Sequence, residues 1–492
     1  MLNKIVLILA MGFSYTALSF DDVPITPGTC KDRYVNPTTA LIEKGRKLFK
    51  KEKFNGNGRT CQTCHRENHN FTIDAKFIAT LPNNDPLFVA ENNSDLFDLD
   101  DLENPVMMRE FGLIRLNIDG FDKPGVLRGV PHLLGLGQTN GAVVNDSKFG
   151  TPVHETGWSA DGAPDDRSLR CFPVGAIVQH FTKSMDRINE VDFRLPTEHE
   201  LDALFVYQLS LGRQNTPVVS NLNFLEPAAQ RGKEMFFGAI PTKNPNLGTK
   251  SCAECHVEGG AHNGANFMAR NRIINSNLSP NAPICRGLAL NPPLAIPGDG
   301  GFGKTSQFFD TIACGTGNIQ TSLFSDQNQQ SRGFFNTVSL LEAADTAPYF
   351  HDNSAETLED AIRFYSSDPF NVSDGAIGRA FDFGLTGVND LGAFLRAINA
   401  LENARSAIDH VDKSLAVSGK NIDVDQLRLA LADSKDGIKV LTTGPLPRLF
   451  PKAVNLFRDA NLLLRVAIAS RNRVFANLAR SKLEAVSSKI SS

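Results

Sequence analysis

The amino-acid sequence predicts a mainly α protein with two similar, loop-rich domains and a C-terminal helical extension. The duplication shows in a Cys-x-x-Cys-His motif that occurs twice, at 61–65 and 252–256. Each copy follows a segment of the form Gly-basic-charged-apolar-Phe, at 45–49 and 232–236. The extension is indicated by apolar residues that recur every three or four positions from about residue 390, the spacing of one helix face.

The first 19 residues have the pattern of a secretory signal peptide. Lys4 precedes an apolar stretch at 5–13, and the small residues Ala17 and Ser19 stand before the expected cut. A membrane anchor is the alternative, but the apolar stretch is shorter than the roughly 20 residues that span a bilayer. We therefore expect a periplasmic or secreted protein without a stable membrane anchor.

The spacing within the repeated motif explains its chemistry. Two cysteines three positions apart share one helical turn, so both sulfurs can form thioethers with one heme, and the next histidine can bind the iron. A zinc site would need a further Cys or His pair nearby, and a thioredoxin-like motif would not need the histidine twice. We predict two covalently bound heme c groups. The residues that would attach or ligate them are Cys61, Cys64, His65, Cys252, Cys255 and His256.

The two c-type heme sites divide the chain into domains. The motifs are too far apart for a short structural repeat and indicate a duplicated domain. The polar stretch 214–223 separates the copies, and a helix from Glu198 to Leu211 precedes it, with Thr197 and Glu200 as a capping box. The predicted segments are a signal peptide at 1–19, an N-terminal c-type heme domain at 20–215, a C-terminal c-type heme domain at 216–389 and a helical extension at 390–492.

The composition excludes one class of function. The formal charge is −4, with 50 Lys and Arg against 54 Asp and Glu. This balance argues against a protein that binds nucleic acid through its phosphates.

Four cysteines remain outside the motifs, and in an exported protein they can form disulfides. Pairing Cys30 with Cys171 and Cys285 with Cys314 keeps each bond near one domain. Buried unpaired thiols are the alternative.

Two strings after the second motif suggest a family. Residues 347–354 read Ala-Pro-Tyr-Phe-His-Asp-Asn-Ser, and 357–365 read Thr-Leu-Glu-Asp-Ala-Ile-Arg-Phe-Tyr. With the two heme motifs, they make residues 40–400 resemble the bacterial di-heme cytochrome c peroxidase/MauG superfamily. The segments that further resemble its rubber-oxygenase-like branch are 57–61, 85–91 and 193–213. The resemblance implies that the first heme reacts and that the second relays electrons.

The resemblance also implies the distal ligands. The family's second heme takes a sixth ligand from the helix after the Ala-Pro-Tyr-Phe-His string, and Tyr365 stands at that position. A tyrosine on a helix face is the alternative. A phenolate there would lower the heme potential. The loop histidine of some peroxidases is missing from 124–128, which implies an open first heme. Candidate sixth ligands there are Met107, Met108 and His132.

Trp158 resembles the tryptophan that the family places between the two hemes, where it would relay electrons. The alternative is that Trp158 is an ordinary core residue. The other expected reaction residues come after it in the sequence. The family places a Gln and a Glu after it, the Glu as acid and base. The matching stretch 169–185 contains no Glu or Asp, and its polar candidates are Gln179, His180 and Lys183. The missing acidic residue argues against the peroxidase type of site and favours a site that uses O₂ or has otherwise altered chemistry.

A calcium ion is a further possibility implied by the family. Its site uses backbone near Thr346 and Pro348 and an Asn after the first Pro string, where this chain has Gly135. The sequence leaves calcium open.

The resulting hypotheses are three. The first is reduction of H₂O₂ at the His65 heme, with electrons that come from a small cytochrome c or cupredoxin through the His256 heme. The second is an O₂-dependent heme oxygenase of an apolar small-molecule substrate, whose pocket some of the 34 phenylalanines would line. The third is a plain di-heme electron-transfer protein.

Overall fold

The structure is a computed structural model of the chain. The residues that it describes are 23–26, 28–31, 33–96, 102–117, 121, 126–139, 143–146, 151–154, 169–214, 217–238, 240–243, 246, 248–254, 256–260, 268–269, 311–314, 317–320, 335–336, 338–367, 370, 381–417, 421–446 and 448–492. The predicted signal peptide, Trp158, Cys255, Cys285 and the side chain of Cys314 lie outside the described part.

The described residues form a mainly α structure, which confirms the predicted fold class. The helices are α1 (Thr39–Lys51), α2 (Cys61–Cys64), α3 (Ala75–Ile78), α4 (Pro105–Phe111), α5 (Leu136–Thr139), α6 (Phe172–His180), α7 (Glu198–Leu209), α8 (Pro227–Phe237), α9 (Leu358–Phe364), α10 (Gly384–Leu415), α11 (Val424–Thr442), α12 (Pro451–Ser470) and α13 (Arg473–Ile490). Short 3-10 helices are Pro86–Asn92, Ser94–Leu96, Val219–Asn221, Cys252–Glu254, Val257–Gly259 and Ala343–Asp345.

The strands are short and pair as antiparallel ribbons. They are β1 (Leu113–Leu116), β2 (Val126–Gly129), β3 (Val143–Asp146), β4 (Thr151–His154), β5 (Ile240–Pro241), β6 (Thr249–Lys250), β7 (Met268–Ala269), β8 (Thr311–Cys314), β9 (Gly317–Gln320) and β10 (Phe335–Asn336). The pairs are β1 with β2, β3 with β4, β5 with β6, β7 with β10 and β8 with β9.

The predicted capping box at α7 is present. The Glu200 N–H donates to Thr197 Oγ1 at 3.1 Å, and the Thr197 N–H donates to Glu200 Oε2 at 2.9 Å. These reciprocal bonds satisfy two amide donors at the start of the helix. The helix ends at Leu209, two residues before the predicted end.

The same type of helix crossing occurs at both Gly-x-x-x-Phe segments and explains why the pattern is repeated. In the first, a Cβ added at Gly45 of α1 would lie 1.9 Å from the Ala203 carbonyl oxygen of α7. In the second, a Cβ at Gly232 of α8 would lie 1.9 Å from the Asp390 carbonyl oxygen of α10. Because only glycine permits this approach, each crossing is fixed by the residue type.

We expect Gly45→Ala to destabilise the first domain by about 1–3 kcal/mol, because the added methyl must push α1 away from α7. Gly232→Ala should have a similar effect at the α8–α10 crossing. Chemical denaturation measures both changes, and Glu43→Ala on the exposed side of α1 is the control. Unfolding midpoints equal to that of the unaltered protein would contradict the crossing.

The second domain and the extension share one core. Phe236 of α8, Phe394 of α10 and Phe457 of α12 belong to one continuous cluster of buried apolar residues. Helix α10 begins at Gly384, so the predicted boundary between residues 389 and 390 falls inside a helix. The last residues return to the start of the second domain, where the Leu225 N–H donates to the Ile490 carbonyl at 3.0 Å.

The two predicted domains also contact each other directly. The Gly129 N–H donates to the His351 carbonyl at 2.8 Å, and Asn353 Nδ2 donates to the Phe111 carbonyl at 2.8 Å. The first domain also contacts the extension, where the Arg213 guanidinium and the Glu402 carboxylate pair at 2.5 Å. The string that carried the family resemblance therefore lies against the first domain.

A buried acidic cluster lies where the second domain meets the extension. Asp345 Oδ2 accepts hydrogen bonds from the side chains of Asn399 and Asn403 at 3.0 and 3.1 Å. Burial and the nearby Asp436 raise the pKa of Asp345 to about 7, and burial with the nearby Asp433 raises the pKa of Asp436 to about 6. The folded protein therefore favours the protonated carboxyls.

This cluster predicts that stability falls as the pH rises. Unfolded Asp has a pKa near 3.8, so the stabilisation is complete below that value and is lost as the pH rises through about 6 and 7. Asp345→Asn keeps an oxygen for the two asparagines and cannot ionise. We expect its Tm, measured by calorimetry, to fall less between pH 5 and pH 8 than that of the unaltered protein. Equal slopes would show that Asp345 does not titrate in this range.

Candidate heme sites

The first attachment site is a single turn of helix. Helix α2 carries Cys61 and Cys64, and the His65 N–H donates to the Cys61 carbonyl at 3.0 Å. The Thr60 N–H donates to Thr63 Oγ1 at 2.9 Å, which closes the N-terminus of the turn. The two sulfurs and the imidazole therefore stand at the spacing that one heme requires.

The ring of His65 is held by a backbone carbonyl. Its Nδ1 lies 2.9 Å from the Phe71 carbonyl oxygen, and its ring centroid lies 6.2 Å from that of Phe49. Because a carbonyl only accepts hydrogen bonds, Nδ1 carries the proton and Nε2 keeps the lone pair that can bind iron. Such a partner fixes the tautomer and orientation of a ligating histidine.

The second site repeats this arrangement. The His256 N–H donates to the Cys252 carbonyl at 2.9 Å, and His256 Nδ1 lies 3.0 Å from the Val338 carbonyl oxygen. Cys252 lies on the short helix Cys252–Glu254, and Cys255 falls outside the described residues. Two histidines from equivalent motifs thus offer the same nitrogen, Nε2, to a metal.

The protonation state of the two histidines suits iron ligation. Burial lowers the pKa of both His65 and His256 to about 4, so each imidazole is neutral at neutral pH, the form that binds metal. Burial also raises the pKa of the Cys61 thiol to about 12 and that of the Cys64 thiol to about 11. The described residues of both motifs fit a covalently attached heme.

A buried arginine ties the first attachment loop to α6. Arg59 is 1% exposed, and its Nη1 donates to Glu103 Oε1 at 2.9 Å. Its Nη2 donates to the Leu87 carbonyl at 2.6 Å. Asn57 Nδ2 donates to the carbonyls of His180 and Thr182 at 3.0 and 2.8 Å. The C-terminal end of α6 is therefore fixed beside the cysteines of the first motif.

The structure brings an acid to His180 that the sequence did not reveal. Glu103 Oε1 lies 3.7 Å from His180 Nδ1, and Glu103 is 1% exposed. Burial alone would raise the pKa of Glu103, but the Arg59 guanidinium and His180 outweigh it and hold this pKa below its usual value. An ionised carboxylate thus faces the one histidine of the 169–185 stretch.

The side chain of Gln179 is engaged by its neighbour. Its Oε1 accepts from the Asn117 N–H at 2.9 Å, and its Nε2 donates to Asn117 Oδ1 at 3.0 Å. This pair of bonds fastens α6 to the end of β1. Lys183 is exposed and donates to the Val191 carbonyl at 3.2 Å. The structure thus gives Gln179 a positioning contact, and its predicted catalytic role stays a prediction.

The candidate sixth ligands of the first heme are two buried methionines and the half-buried His132. Met107 and Met108 are 0% exposed, and Met108 belongs to an apolar cluster against which Cys64 packs. Burial lowers the pKa of His132 to about 4, so that imidazole is neutral. His69, which is not one of the predicted ligands, binds the Asp74 carboxylate at 3.0 Å. Ligation by Met107, Met108 or His132 stays a prediction.

Tyr365 caps the C-terminal end of α9 among aromatic residues. Its ring centroid lies 4.9 Å from that of Phe370 and 5.7 Å from that of Phe364. The Phe381 N–H donates to its backbone carbonyl at 2.9 Å. Tyr365 belongs to the same domain as His256, and its role as distal ligand stays a prediction.

One of the two predicted disulfides is present. Cys30 and Cys171 are bonded, with Cα atoms 5.7 Å apart. The neighbouring Arg170 is fully buried, and its Nε donates to Asp202 Oδ1 at 2.7 Å. The disulfide and this ion pair fasten the N-terminal segment and the start of α6 to α7.

Of three comparisons with known proteins, one finds similar proteins, and these are solved structures. No protein-family model matches the chain, and no curated protein matches it in sequence. A MauG-like protein associated with microbial copper homeostasis is 15% identical, covers 78% of this chain and 95% of its own, and has a TM-score of 0.37. Hydrazine synthase from Kuenenia stuttgartiensis is 16% identical, covers 80% and 99%, and has a TM-score of 0.34.

A third similar structure is the diheme peroxidase BthA from Burkholderia thailandensis E264. It is 14% identical, covers 74% of this chain and 86% of its own, and has a TM-score of 0.31. The descriptions of the first and third structures name the superfamily that the motifs resemble. Because all three TM-scores lie below 0.5, the grounds for a function are the residues of this chain.

Within the described residues, the helices include none with the length and apolar character of a membrane span.

Proposed function

We propose that the protein is an exported di-heme c-type oxidoreductase that reduces H₂O₂ at the His65 heme. Electrons would come from a small cytochrome c or cupredoxin and pass through the His256 heme. The observation that carries the proposal is the equivalent setting of the half-buried His65 and the buried His256. Each follows a heme-attachment cysteine pair and donates Nδ1–H to a backbone carbonyl.

The residues of each site have defined tasks. When bound, the hemes supply the iron that exchanges electrons with peroxide and with the donor. The Phe71 and Val338 carbonyls accept from Nδ1 of the two histidines, so Nε2 of each would hold the iron. The cysteines hold each heme covalently, so it is retained in a compartment where free heme would be lost.

Reduction of H₂O₂ to two water molecules consumes two electrons and two protons, and the protons need a carrier. His180 is the residue that we assign to this task. Glu103, 3.7 Å from Nδ1, would balance the positive charge of His180 while it carries a proton. Arg59 fixes the Glu103 carboxylate in place. This pair offers the acid–base function that the 169–185 stretch lacks in its own carboxylates.

Steady-state kinetics test the proposal. The purified holoprotein should oxidise a reduced small cytochrome c or cupredoxin when H₂O₂ is added, two donor molecules for each peroxide. Consumption of O₂ with an apolar polyene and no peroxide turnover would support the oxygenase. If neither reaction occurs and both hemes can still be reduced, the result would support the third hypothesis, a plain di-heme electron-transfer protein.

A further inference from the structure

The last two helices are basic in an acidic protein. Residues 448–492 contain nine Lys and Arg and two Asp and Glu, a formal charge of +7. The whole chain has a charge of −4, so the remaining residues carry −11. Such an asymmetry turns the C-terminal helices towards any anionic surface and the rest of the protein away from it.

The outer face of α12 combines arginines with a leucine. Arg458, Leu462 and Arg465 are spaced by four and three residues, so they lie on one side of the helix. All three are exposed, and Leu462 is 66% exposed. Arg458 donates to the neutral Asn455 at 3.4 Å, and among the described residues Arg465 forms no ion pair. Both guanidinium charges are therefore available to a partner.

Helix α13 extends this surface. Lys482 Nζ lies 3.0 Å from Asp459 Oδ2, so the two helices contact each other at this level. Leu478 stands one turn before Lys482 on α13 and is 48% exposed, and Val474, one turn earlier, is 60% exposed. We call the surface formed by Arg458, Leu462, Arg465, Val474 and Leu478 the hairpin face.

We propose that the hairpin face docks on an anionic lipid bilayer. Arginine fits the phosphates of lipid headgroups, and exposed leucine and valine between basic residues are typical of helices that lie in the membrane interface. An acidic electron-donor protein is the rival partner. The exposed Leu462, Val474 and Leu478 favour the bilayer, because apolar side chains can insert into a membrane interface.

Vesicle sedimentation with the full-length holoprotein tests this docking. We expect binding to vesicles that contain phosphatidylglycerol, weaker binding as salt is added, and little binding to pure phosphatidylcholine. The double variant Arg458→Gln/Arg465→Gln should reduce partitioning by about tenfold or more. Leu462→Gln should reduce the part of the binding that persists at high salt, because that part comes from apolar insertion.

The matched control removes two exposed lysines from another helix. Lys47→Gln/Lys51→Gln on α1 changes the net charge equally and should leave vesicle binding nearly unchanged. An equal loss in both double variants, or no binding of the unaltered protein to phosphatidylglycerol, would overturn the proposal. Peroxide turnover by the unbound Arg458→Gln/Arg465→Gln variant should equal that of the unaltered protein, so failure of the docking and failure of the proposed reaction are distinguishable.

Discussion

Replacement of Cys61 and Cys64 together by alanine is expected to leave one covalent heme per chain and to abolish peroxide reduction. Both cysteines lie on the turn α2, and no thioether to the first heme can form without them. The second site should keep its heme, because Cys252 and His256 belong to a separate motif. A heme stain on a denaturing gel and the heme content per chain measure the loss.

The matched control is Cys30→Ser/Cys171→Ser, which also removes two sulfurs. These residues form the disulfide, so the variant should lose stability, by about 2–5 kcal/mol, and keep two hemes. Two covalent hemes in the Cys61→Ala/Cys64→Ala variant would contradict the assignment of the first motif.

Replacement of His180 by glutamine should lower peroxide turnover by about 100-fold or more while both hemes stay attached. The His180 side chain lies 3.7 Å from the Glu103 carboxylate, and glutamine cannot carry a proton in its place. Turnover at saturating donor, together with the heme content per chain, measures the effect. An unchanged turnover rate would show that His180 takes no part in the reaction.

The variant Glu103→Gln tests whether Glu103 acts through its negative charge or only by holding His180 in position. The amide keeps the shape of the side chain but not its negative charge, so the pH profile should shift although the hemes remain. This variant also breaks a buried ion pair with Arg59, which costs about 3–5 kcal/mol. Turnover is therefore compared at a temperature where denaturation shows that the variant is folded.

The attachment turns of the candidate heme sites follow from the sequence because their geometry is local. Cysteines three positions apart and an adjacent histidine fix the attachment turn before any tertiary contact is known. The capping box of Thr197 and Glu200 is local in the same sense. The backbone carbonyls that orient the histidines could not be predicted, since the Val338 oxygen lies 82 positions from His256.

The position of Glu103 beside His180 could not be predicted for the same reason. The two residues are far apart in the sequence, and no periodicity links their segments. The start of α10 at Gly384, before the predicted residue 390, could not be predicted either, because glycines such as Gly384 and Gly387 have low helix propensity. Packing of this part of α10 against α8, where Gly387 lies near Met235, depends on tertiary contacts that the sequence does not show.

The central claim is that the His65 heme has an open position that reacts with H₂O₂. Electron paramagnetic resonance of the oxidised holoprotein, recorded before and after one equivalent of peroxide, tests it most directly. We expect a high-spin ferric signal, absent from the Cys61→Ala/Cys64→Ala variant, that disappears when peroxide is added. Two low-spin signals that peroxide leaves unchanged would contradict the claim.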